Sequence, residues 1–405
     1  MLKQTCPKEV LKSETLNLFQ GKVRHDLTKG RKGRIMSFRT CFGISRVSLN
    51  KLIYFALILL IIILSGEVEA GDNIRVLIME NTPSATIESP WGFDLPQGIN
   101  SNRIDIDKER IKYNPYKITP IGDYLILNGK KYRGSIEVRK GEKGIYIIND
   151  LNIEDYLKGV VPQEMDHKWD MEALKAQAIV ARTYARYYMK ENKGKEYDLE
   201  SSILSQVYNG MDGERFKTNV AVMETGDIIL TYEGNPIEAF YHASCGGRTE
   251  NSGDVWAKDA PYLMGVECTE ISQSWEREMT VGEIETALRK EGVIKGSIIK
   301  LEVSSTTNTG RVSYLKVSVN NGNSREQIYI RGNDFRKAIG YTKIPSTYFR
   351  MVVNGAGVKF LGKGAGHGVG FCQFGAKEMA ERGKNFNEIL RHYYRGVDIG
   401  NNRVQ

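Results

Sequence analysis

Three stretches of the chain hold residue types that could do chemistry. The first is GVVPQEMDHKW, Gly159 to Trp169, where Glu164 follows Pro162 among Val160, Val161 and Met165. Apolar surroundings disfavour a charged carboxylate and raise its pKa. A glutamic acid that stays protonated near neutrality suits proton delivery to a glycosidic oxygen, as in lysozyme. Such a positioned acid contributes ~10²–10⁴ in rate. Glycosidases commonly add a second carboxylate as nucleophile or base. Asp166 is near in sequence, but two residues on does not mean facing. One acid suffices where a hydroxyl of the sugar itself attacks, because no water must then be activated. The competing assignment for Glu164 is a solvated loop carboxylate.

The second stretch is AFYHASCGGRTENSGDVW, with His242 and Cys245 spaced H-x-x-C before the turn-forming Gly246-Gly247. Imidazole and thiolate are zinc ligands, and Cys268 is the obvious third. A Cys245–Cys268 disulfide is an equal alternative. So is a polar-ligand site built from His242, Ser244 and Thr249. A Cys245–His242 nucleophile pair lacks a visible orienting residue. The third stretch is GKGAGHGVGFCQFGA, with glycines at 362, 364, 366, 368 and 370. It is neither G-x-G-x-x-G nor a Walker motif, which disfavours a nucleotide cradle. In extended backbone this period puts the glycines on one face as a bare strip for close approach. His367, with Ala365 and Val369, then projects from the other face. A flexible, turn-rich loop is the alternative. The aromatics Trp169, Trp256, Tyr184 and Tyr208 are either platforms for sugar rings or core.

Elements must position these groups. NIRVLIME reads as a first strand, and DYLILNGKKYRGSIEVRKGEKGIYIINDL as three short strands turning at Asn128-Gly129 and around Gly141 to Gly144. NIEDYLKGVV then forms a short helix or turn leading to Glu164. Asp170 caps a long Ala-rich helix stopped by Gly194. Its buried stripe is Met171, Leu174, Ala178, Ala181, Ala185 and Tyr188, with Arg182 and Arg186 on another face beside Lys175 and Ile179. A short helix and a hairpin turning at Gly234-Asn235 follow. A β-rich lobe is inserted at about 275–345, and a helical pair broken at Gly383 closes the chain. Strands and helices mixed without βαβ alternation indicate an α+β fold: meander elements packed on the long helix, one catalytic unit over 71–400.

The net charge of +8 is misleading. Residues 1–51 carry twelve Lys/Arg against three Asp/Glu, a net of +9, which leaves the remainder near neutral. No basic stripe interleaves with aromatics, so nucleic acid is excluded as a partner. The basic tail of residues 1–50, or a mis-assigned start ahead of Met36, precedes KLIYFALILLIIILSGEVEAG. Its apolar run is short for a span, which needs about 18 residues. Residues 51–70 therefore read as a signal peptide or a retained membrane anchor, and the rest as exported. Outside the tail, Cys245, Cys268 and Cys372 are an odd number, so at most one internal disulfide forms.

LNIEDYLKGVVPQEM, ALKAQAIVARTYA, SQVYNG, AVMETGDIILTYEGNPIEAFYHASCGGRTENSGDVW and GHGVGFCQFGAKEMAERG, running in order from Leu151 to Gly383, resemble the stage II sporulation protein D family, which includes amidase enhancers. The resemblance implies a membrane-anchored or secreted lytic transglycosylase that cuts peptidoglycan glycan strands, preferably stripped of stem peptides, to 1,6-anhydro-muramyl ends. It maps the family's catalytic acid onto Glu164. It also implies a cell-wall amidase as partner, and a non-catalytic activator of that amidase is the alternative role. Arg182, Tyr184, Tyr208, His242, Ser244, His367 and Gln373 are then expected along the groove. No cofactor is required. Some members bind zinc near the His242 segment, but residues that go with it are missing before Gln206, so no metal is expected here and His242, Cys245 and Cys268 are only weak candidates. Two departures stand out: Cys372 occupies a position where relatives often have Ser, and YDLESSILSQVYNG lacks the His and Cys that some carry before Gln206.

Overall fold

Residues 73–95, 101–203, 205–256, 258–268, 274–322 and 324–401 are described by a computed structural model. The basic tail and the signal or anchor segment lie outside them. Among the described residues no helix is long and apolar enough to cross a membrane.

The fold is α+β. Asn73–Thr82 pairs antiparallel with Ile145–Asn152, which continues through Ser135–Lys140 and Tyr116–Pro120 to Phe93–Asp94. Leu199–Glu200 adds a parallel edge and makes six strands. The stretch read as three strands has four. Leu125–Leu127 and Lys130–Tyr132 form their own hairpin, which joins a separate four-stranded sheet. Asn128 and Gly129 close it at φ 48° and 83°, the left-handed pair that a two-residue hairpin turn needs.

The helix Met171–Glu191 starts at Asp170, whose side chain accepts from the Glu172 N–H. It ends two residues short of the expected stop, because Asn192 already caps it. Its burial differs from the single stripe predicted. Every residue from Ala173 to Ala185 except Lys175 is buried. The helix is central: Ile153–Glu164, Phe216–Glu224, Gln373–Glu381, Phe386–Tyr393 and the strand Ile228–Tyr232 all pack on it. The alanines that would make a weak stripe on a surface helix let five neighbours approach at once.

Ser274–Lys363 has its own hydrophobic cluster, including Leu315, Val317, Phe335 and Phe360. Three strands, Ser297–Thr306, Val312–Asn320 and Arg325–Arg331, pair antiparallel, the first pair with register shifts and the second without, and Leu315 lies opposite both Val303 and Ile330. The helices Val281–Lys290 and Gly332–Ile339 contact each other beside them. Ser274–Thr280 and Phe349–Asn354 flank Gly357–Lys363 in a second sheet, which returns the chain to the main body. The lobe's turn Thr307–Arg311 reaches back. The Thr307 and Thr309 hydroxyls donate to Glu250, and buried Arg311 donates to the Cys245 and Arg248 carbonyls.

Candidate active site

Glu164 closes the helix Ile153–Glu164, which begins where Asn152 accepts from the Glu154 N–H. Pro162 sits in the last turn, and Met165 is already extended, so the chain leaves the helix at the acid. Gly159 lets this helix lie against Tyr208, because a Cβ there would meet the ring at 2.6 Å. The Tyr208 hydroxyl in turn donates to Asn149 on the sheet at 2.9 Å. The acid is thus held by a helix pinned through an aromatic strut.

The carboxyl faces a cavity of about 640 Å³ at the junction of main body and lobe. Glu164 Oε1 accepts from the Val207 N–H at 3.3 Å. Gln373 Nε2 lies 3.5 Å from Oε2 and 3.3 Å from Gln177 Oε1. Glu164 is partly open to the cavity, yet protein surrounds it on most sides. Burial raises its pKa above the usual carboxylate range, against the lowering pull of its hydrogen-bonding neighbours. The Tyr241 hydroxyl is close enough to feel the carboxyl but is buried without a partner at hydrogen-bonding geometry.

Aromatic rings wall the cavity. Phe240 and Trp256 lie 4.4 Å apart at 34°, and His367 packs edgewise on Phe240 and at a tilt of 53° on Trp256. Tyr184 and Tyr188 stand 4.6 Å apart nearby. The two histidines differ in which nitrogen is engaged. His242 Nδ1 lies 3.1 Å from the Val369 carbonyl and so carries the proton, leaving Nε2 buried and unpartnered. His367 Nδ1 accepts from the Val369 N–H, which leaves the proton on Nε2. Burial keeps both neutral, pushing His367 down to about 3 and His242 well below its ordinary value.

Of the residues expected along the groove, Glu164, Tyr184, His242, His367 and Gln373 line this cavity. Arg182, Tyr208 and Ser244 do not. Arg182 is fully buried on the central helix and makes a two-pronged pair with Glu154, at 2.6 and 2.7 Å, plus bonds to the Val222 and Ile228 carbonyls. The helix is covered on every side, so the face that seemed polar is an internal clamp. Ser244 exchanges backbone bonds with Ala365, and Thr249 ties down Val266 rather than facing a ligand. Asp166 is exposed and outside the cavity. The sequence reading missed Glu238, Asn333, Arg336 and Tyr341, which also line it. Glu238 accepts from the Tyr188 hydroxyl at 2.7 Å and lies 3.5 Å from Lys258. Its signal was the alternation Glu238–Phe240–His242, which puts all three on one face of an extended run. The other three come from the lobe, with no local signal.

The glycine run is not a plain extended strand. Gly364, Gly366, Gly368 and Gly370 all have φ between 70° and 107°. The need for close approach is real at all four: a Cβ on Gly366 would stand 2.5 Å from His242 Cβ, one on Gly368 2.6 Å from Arg311 Cζ, one on Gly364 2.8 Å from the Ser244 carbonyl oxygen, and one on Gly370 would run into the Phe240 carbonyl oxygen.

The thiols are arranged differently from expectation. None of Cys245, Cys268 and Cys372 is in a disulfide. The third partner of His242 and Cys245 is Cys372, not Cys268, with the ligating atoms all within 4.8 Å of one another. The parallel pairing of Tyr241–His242 with Phe371–Cys372 puts Cys372 there, whereas Cys268 Sγ lies 3.2 Å from the Tyr393 hydroxyl. Two sulfurs and an imidazole whose other nitrogen holds a backbone carbonyl fit a thiophilic cation such as zinc.

Comparison with known proteins adds to the geometry. A family model described as stage II sporulation protein matches residues 141–232, and one described as a domain of unknown function matches 258–370. An uncharacterized protein of Brachyspira hyodysenteriae is 36% identical over 306 residues, 75% of this chain and 79% of that protein. The stage II sporulation protein D of Bacillus amyloliquefaciens is 32% identical over 62% of this chain and 75% of its own length. The amidase enhancer of Bacillus subtilis is 30% identical over 74% of this chain, which spans about half (49%) of that longer protein.

Proposed function

The chain belongs to the stage II sporulation protein D family, and from that premise and the cavity chemistry we propose that it is a lytic transglycosylase of peptidoglycan, acting in sporulation or cell-wall remodelling. The observation that carries this reading is Glu164: a carboxyl with a raised pKa, facing an aromatic-walled cavity of ligand-binding size. The protonated Glu164 gives its proton to the bridging oxygen as the bond from muramyl C1 breaks. The muramyl 6-hydroxyl attacks C1, and its proton returns to the Glu164 carboxylate. The product ends in a 1,6-anhydro ring, no water is consumed, and the acid is regenerated.

Each neighbour has a part in this scheme. The Val207 N–H and the Gln373 amide orient the carboxyl and stabilise it in its charged interval. Trp256 and Phe240 offer sugar rings a stacking wall. Glu238 is engaged by Tyr188 and Lys258, so it is a poor candidate for a second catalytic carboxylate. The scheme needs no cofactor. A zinc ion held by His242, Cys245 and Cys372 would act as a Lewis acid or a brace beside the glycine run. The substrate requires an extracytoplasmic location, with residues 51–70 as signal or anchor.

A second reading, activation of a cell-wall amidase without cleavage, is favoured by the name of the Bacillus subtilis relative. Incubation with peptide-stripped glycan strands, followed by mass spectrometry of the new ends, separates the two. Anhydro-muramyl ends are expected. Uncut strands, together with faster release of peptides by an added amidase on intact wall, would overturn the enzymatic reading in favour of the second.

A further inference from the structure

Two cations line the cavity, and they differ in their company. Lys258 has Glu238. Arg336, on the lobe helix Gly332–Ile339, is 6% exposed and has no acidic partner among the described residues. Its Nε donates to the Ile344 carbonyl at 2.7 Å, and its guanidinium packs 4.7 Å from the centre of the Tyr341 ring. Those contacts fix the plane of the group and leave its Nη edge without a protein acceptor. Asn333, three residues earlier and so on the same helical face, also lines the cavity, with a buried and unpartnered Oδ1. Burial brings Arg336 down to about 10, so it is still cationic at neutral pH.

A buried charge lacking a counter-ion is costly unless a ligand supplies one. The flat fork of a guanidinium matches a carboxylate through two parallel hydrogen bonds. In a strand of N-acetylglucosamine and N-acetylmuramic acid, the only carboxylate is the lactyl group of muramic acid. In intact wall that group is an amide, carrying the stem peptide. It becomes a carboxylate when the peptide is removed.

We propose that Arg336, supported by Asn333, is a carboxylate subsite that reads the free lactyl group of muramic acid and so selects peptide-stripped strands. The proposal rests on the glycan-strand reading above and names the feature of the strand that is recognised.

Binding in a Glu164→Gln background, where no turnover intervenes, tests it. One oligosaccharide carries free lactyl carboxylates, and its twin carries the same groups as methylamides. By calorimetry the acid should bind ~10–100-fold more tightly, the range of a charge-assisted hydrogen bond made in a desolvated site. Adding Arg336→Met should bring the two affinities together. Equal affinities while Arg336 is intact overturn the subsite, and that arm depends on no variant of Arg336 folding. A preference that survives Arg336→Met overturns it too, as does binding of neither oligosaccharide. An acid preference in a protein whose unaltered form cuts neither strand supports the subsite while refuting the lytic reading.

Discussion

Glu164→Gln separates chemistry from architecture, because the amide keeps the shape of the carboxyl and can still accept from the Val207 N–H at Oε1. What it loses is the transferable proton. Turnover of stripped strands should therefore fall by ~10²–10⁴, or ~3–5 kcal/mol in the barrier. Strand binding should hold. Stability should change with a definite sign. Burial raises the pKa of Glu164 in the folded protein. Stability from this group is therefore fully present below its unfolded pKa and is lost as pH rises through the higher, folded one. Glutamine never charges and removes that loss. The melting temperature of the variant relative to the parent should be higher at pH 8 than at pH 4. Kinetics on stripped strands and melts at the two pH values read both effects. Retention of more than about a tenth of the turnover would refute the acid role, since general acid catalysis is worth far more than that. A variant melting temperature that falls relative to the parent between pH 4 and pH 8 would refute the raised pKa.

Three further outcomes follow from the packing. Arg182→Met or Glu154→Gln breaks a buried two-pronged pair and should cost ~3–5 kcal/mol, lowering the melting temperature by about 10 °C; a variant that melts normally but loses strand binding would return Arg182 to the groove. Gly366→Ala forces a side chain onto left-handed backbone, at ~1–2 kcal/mol, and into His242, so the melt should fall and activity with it; an unchanged melt would mean that the glycine run yields. Any zinc that the reduced protein takes up should depend on Cys372 and not on Cys268. A chromophoric chelator competed against Cys372→Ser and Cys268→Ser reads this, and loss of uptake in Cys268→Ser alone would reverse the assignment.

Much of the fold was legible because its signals are local. Asp170 before an Ala-rich run and Asn128-Gly129 between apolar stretches gave the central helix and its hairpin. The α+β class followed from the irregular mixture of elements. What failed depended on neighbours. Arg182 was expected along the groove and is instead a buried clamp on Glu154, because helical periodicity has no knowledge of five elements packing on one helix. Cys372 replaced Cys268 in the thiol cluster because a two-residue parallel bridge, which leaves no trace in sequence, sets that register. Glu164 stood out through its apolar surroundings. Arg336 and Asn333 could not have, since they reach the cavity only after the lobe folds back on the main body.

The central claim is that the bond is broken without water. Peptide-stripped strands cut in water labelled with heavy oxygen decide it. The account predicts anhydro-muramyl ends carrying no label, because the attacking oxygen belongs to the sugar. Labelled reducing ends would show that water attacked, and would contradict the single-acid mechanism built on Glu164.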